Sequence, residues 1–191
     1  QWMLDNIPLD KRILNQFLKA GFIYDGILYR NKSGTPQGGL ISPLLANMAL
    51  DGMERMLKEH FPGKKVHLIR FADDFLVTAD SQETALLCKE LITEFLHERG
   101  LELSEEKTRI VHINDGFDFL GWNFRKFKGK FLIQPSKKAI AAIIDKVRTI
   151  IKAAKAWKQE DLIKALNPVI KGWAMYHRTV SASMTFGKLD W

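Results

Sequence analysis

Two short apolar segments joined by Ala72-Asp73-Asp74 constrain the fold of this chain more than any other feature of its sequence. Segments 66–71 and 75–79 have the length and the apolar content of β-strands. Because so few residues join them, they predict a tight antiparallel hairpin with two aspartates at its tip. Adjacent carboxylates repel each other, and a divalent metal ion offsets that repulsion. The alternative is a plain Asp-Asp turn with both side chains in water.

The segments around this hairpin alternate between helical and strand-like patterns. Apolar spacing predicts helices over 11–20, from Ser42-Pro43 to near Phe61, and from a cap at Ser81 to Gly100. In the second of these, Ser42 is the expected cap and Pro43 the first helical residue. Further strands are predicted at 26–30, 101–103, 109–113 and 117–122. This alternation predicts an α+β fold, with helices packed on one face of an antiparallel sheet.

The pattern changes after Phe124. Aromatic residues alternating with basic ones around Gly129 predict a second hairpin. From Ser136 onward, apolar residues recur every three or four positions and predict a long helix with lysines on its other side. Another helix is predicted from near Gln159, with a break or kink at Pro168. We therefore divide the chain into domains 1–124 and 125–191, the second a small helical bundle.

Charge separates the same two segments. Residues 1–124 hold 14 Lys and Arg against 18 Asp and Glu, a net of −4, whereas residues 125–191 hold 15 against 4, a net of +11. The basic tail indicates a polyanionic partner, most simply nucleic acid, with a solvated lysine-rich surface as the alternative. A single cysteine excludes a disulfide framework, and no apolar run is long enough to span a membrane. These features favour a soluble, intracellular protein, and the initial Gln1 suggests a fragment of a longer one.

Four sequence signatures resemble those of one enzyme family and occur in its order. The hairpin segment Phe71-Ala72-Asp73-Asp74 is similar to the Tyr/Phe-x-Asp-Asp motif of reverse transcriptases. Segment 34–47 resembles the family's template- and nucleotide-positioning loop and helix. Segments 100–108 and 119–122 resemble later palm motifs, and 167–177 looks like the thumb or maturase segment of the group II intron branch. The resemblance implies an RNA-directed DNA polymerase palm followed by an α-helical thumb and maturase region.

The resemblance also implies a metal centre. In that family three carboxylates hold two Mg²⁺ ions, and Asp73 and Asp74 take the two hairpin positions as catalytic residues and metal ligands. The third aspartate is expected on an earlier strand, before the start of this chain, with Asp5 and Asp10 as weak candidates. Lys107 resembles a lysine that donates a proton to pyrophosphate. The alternative is a surface lysine paired with a neighbouring glutamate.

Further binding residues follow from the same resemblance. Leu120, Gly121 and Trp122 correspond to a primer grip, although core packing would explain them too. Trp173, Tyr176 and His177 could stack on RNA bases, but we favour a core position for Trp173. The residues expected to contact nucleotide and template are Thr35, Pro36, Gln37, Gly38 and Gly39. The cations expected to contact RNA are Lys137, Lys138, Lys146, Arg148, Lys152 and Lys155.

The expected partners are an RNA template, intron RNA, a DNA or RNA primer and deoxynucleoside triphosphates, with no membrane. A bacterial cytoplasm or an organelle is the expected location, and a homodimer remains open. Two other functions also remain open. One is a non-catalytic RNA-binding or maturase module, because the chain supplies two of three metal ligands. The other is a related group II-like reverse transcriptase of a defence system, because such enzymes share these palm motifs.

Overall fold

A computed structural model describes residues 1–29 and 39–189. The chain forms two compact units, Gln1–Ile110 and Val111–Trp191. Both contain helices and antiparallel strands, which confirms the α+β class. The division between the units falls earlier than the domain boundary expected after Phe124, and that boundary stays a prediction.

The first unit begins with two helices and a small hairpin. Asp10 fixes the start of the second helix, because its side chain accepts hydrogen bonds from the amides of Arg12 and Ile13. Asp25 and Gly26 both have positive φ, which suits a two-residue hairpin turn. The elements are α1 (Trp2–Asn6), α2 (Lys11–Lys19), β1 (Phe22–Tyr24) and β2 (Ile27–Tyr29). The predicted helix 11–20 is confirmed, and strand β1 was not predicted.

The helix expected from Ser42 to near Phe61 consists of two helices. Helix α3 (Ser42–Leu50) ends where Asp51 is extended, and α4 (Met53–His60) begins after Gly52. Gly52 has φ +88°, which a helix does not allow, so the chain turns at this Asp-Gly pair. Pro43 lies in the first turn of α3 as expected, but Ile41 takes the cap position that we had assigned to Ser42.

The central hairpin forms as predicted. Strands β3 (His67–Phe71) and β4 (Asp74–Thr78) pair antiparallel, with Phe71 opposite Asp74. The next helix, α5 (Gln82–Glu98), is capped by the Ser81 side chain, which accepts from the amide of Thr84. It ends at Gly100, whose φ of +69° allows the closing hydrogen bonds of a Schellman motif.

One face of this hairpin packs against α4 and α5. The hairpin contributes Leu68, Phe75 and Val77 to the core of the first unit. The buried residues of that core are Leu50, Met53, Leu57, Phe61, Val66, Cys88, Ile92, Phe95 and Leu96. The strands expected at 101–103 and 109–113 do not form, and residues 105–107 make a turn. In the described part of the chain, three small sheets replace the single sheet that we expected.

The second unit begins with a three-stranded meander of β5 (Phe117–Phe119), β6 (Trp122–Phe127) and β7 (Lys130–Pro135). The single strand predicted over 117–122 is wrong. Leu120 at φ +50° and Gly121 at φ +81° form a two-residue turn that places Phe119 opposite Trp122. The hairpin predicted around Gly129 is confirmed.

Three helices complete the second unit: α6 (Lys137–Ala153), α7 (Gln159–His177) and α8 (Ser183–Leu189). Ser136 caps α6 by accepting from the amide of Ala139. Helix α7 continues through Pro168 without a break, and a kink at this residue stays a prediction. Over residues 1–29 and 39–189, no helix is both long and apolar enough to cross a membrane.

Candidate active site

The two aspartates lie at the exposed tip of the central hairpin. Asp73 is in the turn, whose first residue, Ala72, has φ +54°, and Asp74 is the first residue of β4. Both carboxylates are exposed. The two strands that carry them are only half-buried. Exposed, adjacent carboxylates offer hard oxygen donors of the kind that Mg²⁺ binds, with room for water and phosphate oxygens as further ligands.

Arg70, which the sequence patterns did not single out, holds the turn at this tip by hydrogen bonds. The Nη1 atom of Arg70 donates to Oδ1 of Asn47 at 2.8 Å and to the carbonyl oxygen of Ala72 at 2.9 Å. Asn47 lies on α3, so one guanidinium joins that helix to the turn that carries Asp73. Asn47 and Arg70 are 23 residues apart in the sequence, and no local pattern pairs them.

The early aspartates do not join the pair. Asp10 caps α2, and Asp5 lies 3.9 Å from the Nζ atom of Lys11. Among the residues that the structure describes, no three His, Cys, Asp or Glu side chains gather into a group that could hold a metal ion. Within the described residues, the hairpin therefore offers two adjacent carboxylates and no third one beside them.

Most of the expected nucleotide loop lies outside the described residues, namely Thr35, Pro36, Gln37 and Gly38. Gly39 is described, and its carbonyl oxygen accepts from the amide of Ser42 at the start of α3. Lys107 is exposed in the turn that follows Ser104. Within the described ranges it forms no ion pair with either neighbouring glutamate, which leaves its ammonium group available.

The turn expected to grip the primer is held by the C-terminal end of α7. The Tyr176 hydroxyl donates to the carbonyl oxygen of Leu120 at 2.7 Å, and Trp122 Nε1 donates to His177 Nδ1 at 3.0 Å. The Trp122 and Tyr176 rings stack with centroids 4.8 Å apart. Because Nδ1 of His177 accepts a hydrogen bond, the ring is neutral and carries its proton on Nε2.

His177 should make the stability of the second unit depend on pH. Its side chain is 2% exposed, and burial lowers its pKa below the usual value. Below about pH 6.5 the unfolded chain binds a proton that the folded chain does not. Stability is therefore constant above that pH and declines as the pH falls towards the lowered pKa. We expect a lower urea midpoint for this unit at about pH 5.5 than at about pH 8.

A His177→Gln variant is the matched control, because its amide oxygen can accept from Trp122 but does not titrate in this range. The difference between wild type and variant isolates this one histidine from the others. An equal loss of stability in both proteins at acid pH would contradict the assignment.

Five of the six cations expected to contact RNA lie on α6. Its buried side is apolar and centred on Ile143, whereas the six cations expected to contact RNA are all exposed. Arg148 forms an ion pair with Asp145 at 3.6 Å. Lys155 lies beyond the end of α6 at Ala153, so the expectation that it belongs to this helix is wrong. The exposed cations form a surface that could follow a phosphate backbone.

Comparison with known proteins identifies two family segments. Residues 4–124 match the reverse transcriptase (RNA-dependent DNA polymerase) family, and residues 140–191 match the group II intron, maturase-specific domain. The group II intron-encoded protein LtrA of Lactococcus lactis subsp. cremoris is 26% identical, covering 60% of this chain and 29% of that protein. Protein YkfC of Escherichia coli (strain K12) is 28% identical, and the match covers 62% of this chain and 39% of that protein.

Maturase-like protein 1 of Euglena gracilis is 29% identical, covering 77% of this chain and 32% of its own length. The chain therefore spans between 29% and 39% of the length of these relatives.

Proposed function

The chain belongs to the reverse transcriptase family, in the branch that carries a group II intron maturase-specific domain, and we propose that it is the palm and thumb of an RNA-directed DNA polymerase. The observation that supports this most directly is the exposed Asp73-Asp74 pair at the tip of a tight hairpin. Arg70 braces that tip against α3, the helix that follows the proposed nucleotide loop. Such an arrangement holds the turn that carries the two carboxylates and leaves them open to a large, charged substrate.

In the proposed reaction, the primer's 3′-hydroxyl loses its proton to water and its oxygen bonds to the α-phosphorus of a deoxynucleoside triphosphate. The bond between that phosphorus and the pyrophosphate oxygen breaks. Asp73 and Asp74 would hold Mg²⁺, with Asp73 in the more stringent position. When bound, two Mg²⁺ ions supply charge neutralisation and lower the pKa of the attacking hydroxyl. Lys107 would donate a proton to the departing pyrophosphate.

The remaining residues would bind and orient the substrates. Residues 35–39 would contact the nucleotide and template, and the turn at Leu120, Gly121 and Trp122 would position the primer. The basic surface of the second unit would hold the RNA template and, in an intron-encoded protein, the intron RNA during splicing. That last role is supported by the maturase-specific match over residues 140–191.

A second candidate is an RNA-binding module without polymerase activity. It is favoured by one specific observation: the hairpin supplies two carboxylates, and the described residues add no third. The two candidates differ in what an isolated chain does. A longer protein that contains the upstream palm strand and the fingers should extend a primer under the first candidate and should not under the second.

The isolated 191-residue chain should extend a primed RNA template poorly with Mg²⁺ and nucleotides, because two of the family's three carboxylates are too few to fix two ions. A longer protein that supplies the upstream aspartate should extend the same template. Gel analysis of primer extension at equal protein concentrations measures both. Robust synthesis by the isolated chain would mean that Asp5, Asp10 or a partner chain supplies the third ligand. An inactive longer protein would favour the RNA-binding module.

A further inference from the structure

We propose that Tyr176 and His177, at the end of the maturase-type helix α7, are positioning residues for the turn at Leu120, Gly121 and Trp122. This inference rests on the proposed function, in which that turn contacts the primer terminus. It assigns to these two residues the role of holding the turn in place, in addition to the RNA binding proposed for their segment. The residues that it joins are 55 positions apart in the sequence, as between Trp122 and His177.

Two backbone carbonyls of the turn are fixed by groups from outside it. The Tyr176 hydroxyl holds the oxygen of Leu120 at 2.7 Å, and the amide of Ser136 holds the oxygen of Gly121 at 2.9 Å. Leu120 needs such support, because its φ of +50° is unfavourable for a residue with a Cβ atom. Both helices line the turn, because a Cβ atom on Gly121 would lie at ordinary van der Waals distance, 3.9 Å, from Ala139 and from Tyr176.

The Trp122 side chain is fixed as firmly as the backbone. Its indole N–H bonds to Nδ1 of the buried His177, and its ring stacks on Tyr176. His177 is held in turn by the ring of Trp173, with centroids 4.3 Å apart, and Phe186 meets Trp173 edge-on. A buried histidine nitrogen without a partner is costly, so His177 selects the rotamer of Trp122 that satisfies it.

The contacts of Tyr176 and His177 with the turn predict that their loss affects primer binding selectively. Loosening the turn should weaken the hold on the primer terminus without changing the binding of the incoming nucleotide. A general loss of folding would instead lower all activities together. The positioning role and a purely structural role are therefore separated by comparing primer-template dissociation with the KM for nucleotide.

The experiment uses a longer protein that contains the whole polymerase. Tyr176→Phe removes one hydroxyl and keeps the ring that stacks on Trp122. We expect primer-template to dissociate about 5- to 10-fold faster, because that factor corresponds to the loss of one hydrogen bond. The KM for nucleotide should stay unchanged. His177→Phe should give a similar change, and His177→Gln, which retains an acceptor, should stay close to wild type.

Thr93→Val is the matched control, because it also removes a hydroxyl that donates to a backbone carbonyl at 2.8 Å, within helix α5. Melting temperatures of all variants separate positioning from loss of fold. Dissociation rates of Tyr176→Phe and His177→Phe equal to that of Thr93→Val would overturn the inference, as would a parallel change in nucleotide KM. Failure of the proposed function is distinct, because the wild-type protein would then not extend the primer at all.

Discussion

Replacing Asp73 with asparagine in a protein that contains the whole polymerase should reduce primer extension by about a thousandfold or more, since metal-ion catalysis supplies several kcal/mol. The side chain keeps its shape but loses its charge and one of its two oxygen ligands. Asp73 is exposed at the hairpin tip and contributes nothing to the core. The variant should therefore fold normally and bind RNA with nearly unchanged affinity. Extension rates and RNA affinity are to be measured on the same preparation.

The chain offers a closely matched control for this substitution. Asp25 is also in a two-residue turn of an antiparallel hairpin, next to Gly26, and asparagine is equally suited to that position. Asp25→Asn should leave extension unchanged, whereas Asp74→Asn should give a loss smaller than that of Asp73→Asn. Retention of most polymerase activity by Asp73→Asn would show that the hairpin is not the metal site.

Local signals in the sequence predicted the structure well where the partner residues are close together. Ser81 caps its helix because its hydroxyl accepts from an amide three residues later, and sequence spacing alone identifies such a pair. The same holds for the central hairpin and for the one at Gly129, because the apolar strands and the tight turn lie within a few residues of each other.

The sequence-based predictions of secondary structure were wrong where a turn signal lies inside a strand-like or helical pattern. Residues 117–122 alternate like a strand, but the Leu120-Gly121 pair turns there, and apolar alternation cannot distinguish a strand from two strand ends beside a tight turn. Asp51 and Gly52 interrupt a continuous helical pattern in the same way. Pro168 is the opposite case, because the sequence allowed a break there and α7 continues through it.

The supports of the candidate site could not have been predicted from local patterns. Arg70 looks like an ordinary surface cation until Asn47 and the Ala72 carbonyl are both placed within its reach. Tyr176 and His177 similarly look like bundle core or base-stacking residues until the Leu120-Gly121 turn is known. Motifs indicated which residues to consider, and tertiary contacts show which of them hold one another in place.

The basic surface of residues 125–191 should carry most of the affinity of this chain for RNA, and the binding should depend on the fold of the RNA more than on its sequence. The six exposed cations lie opposite the apolar side of α6 or just beyond its end, so their charges face solvent together. If about five of them each neutralise one phosphate, log affinity should fall against log salt with a slope of roughly −3.5 to −4.5. Filter binding or fluorescence anisotropy at several salt concentrations measures this slope.

Substituting pairs of these cations with glutamine identifies which of them contribute. Lys137 with Lys138, or Lys146 with Lys152, should each flatten the slope by about one and a half units. Arg148 should contribute less, because Asp145 lies 3.6 Å from its guanidinium and already offsets part of its charge. The control replaces Lys19 and Lys89 in the first unit with glutamine, which removes two charges from exposed helix positions that form no ion pair within the described residues. If the pairs in both units flatten the slope equally, the effect depends on net charge and not on this surface. An affinity that does not change with salt would mean that RNA binds elsewhere.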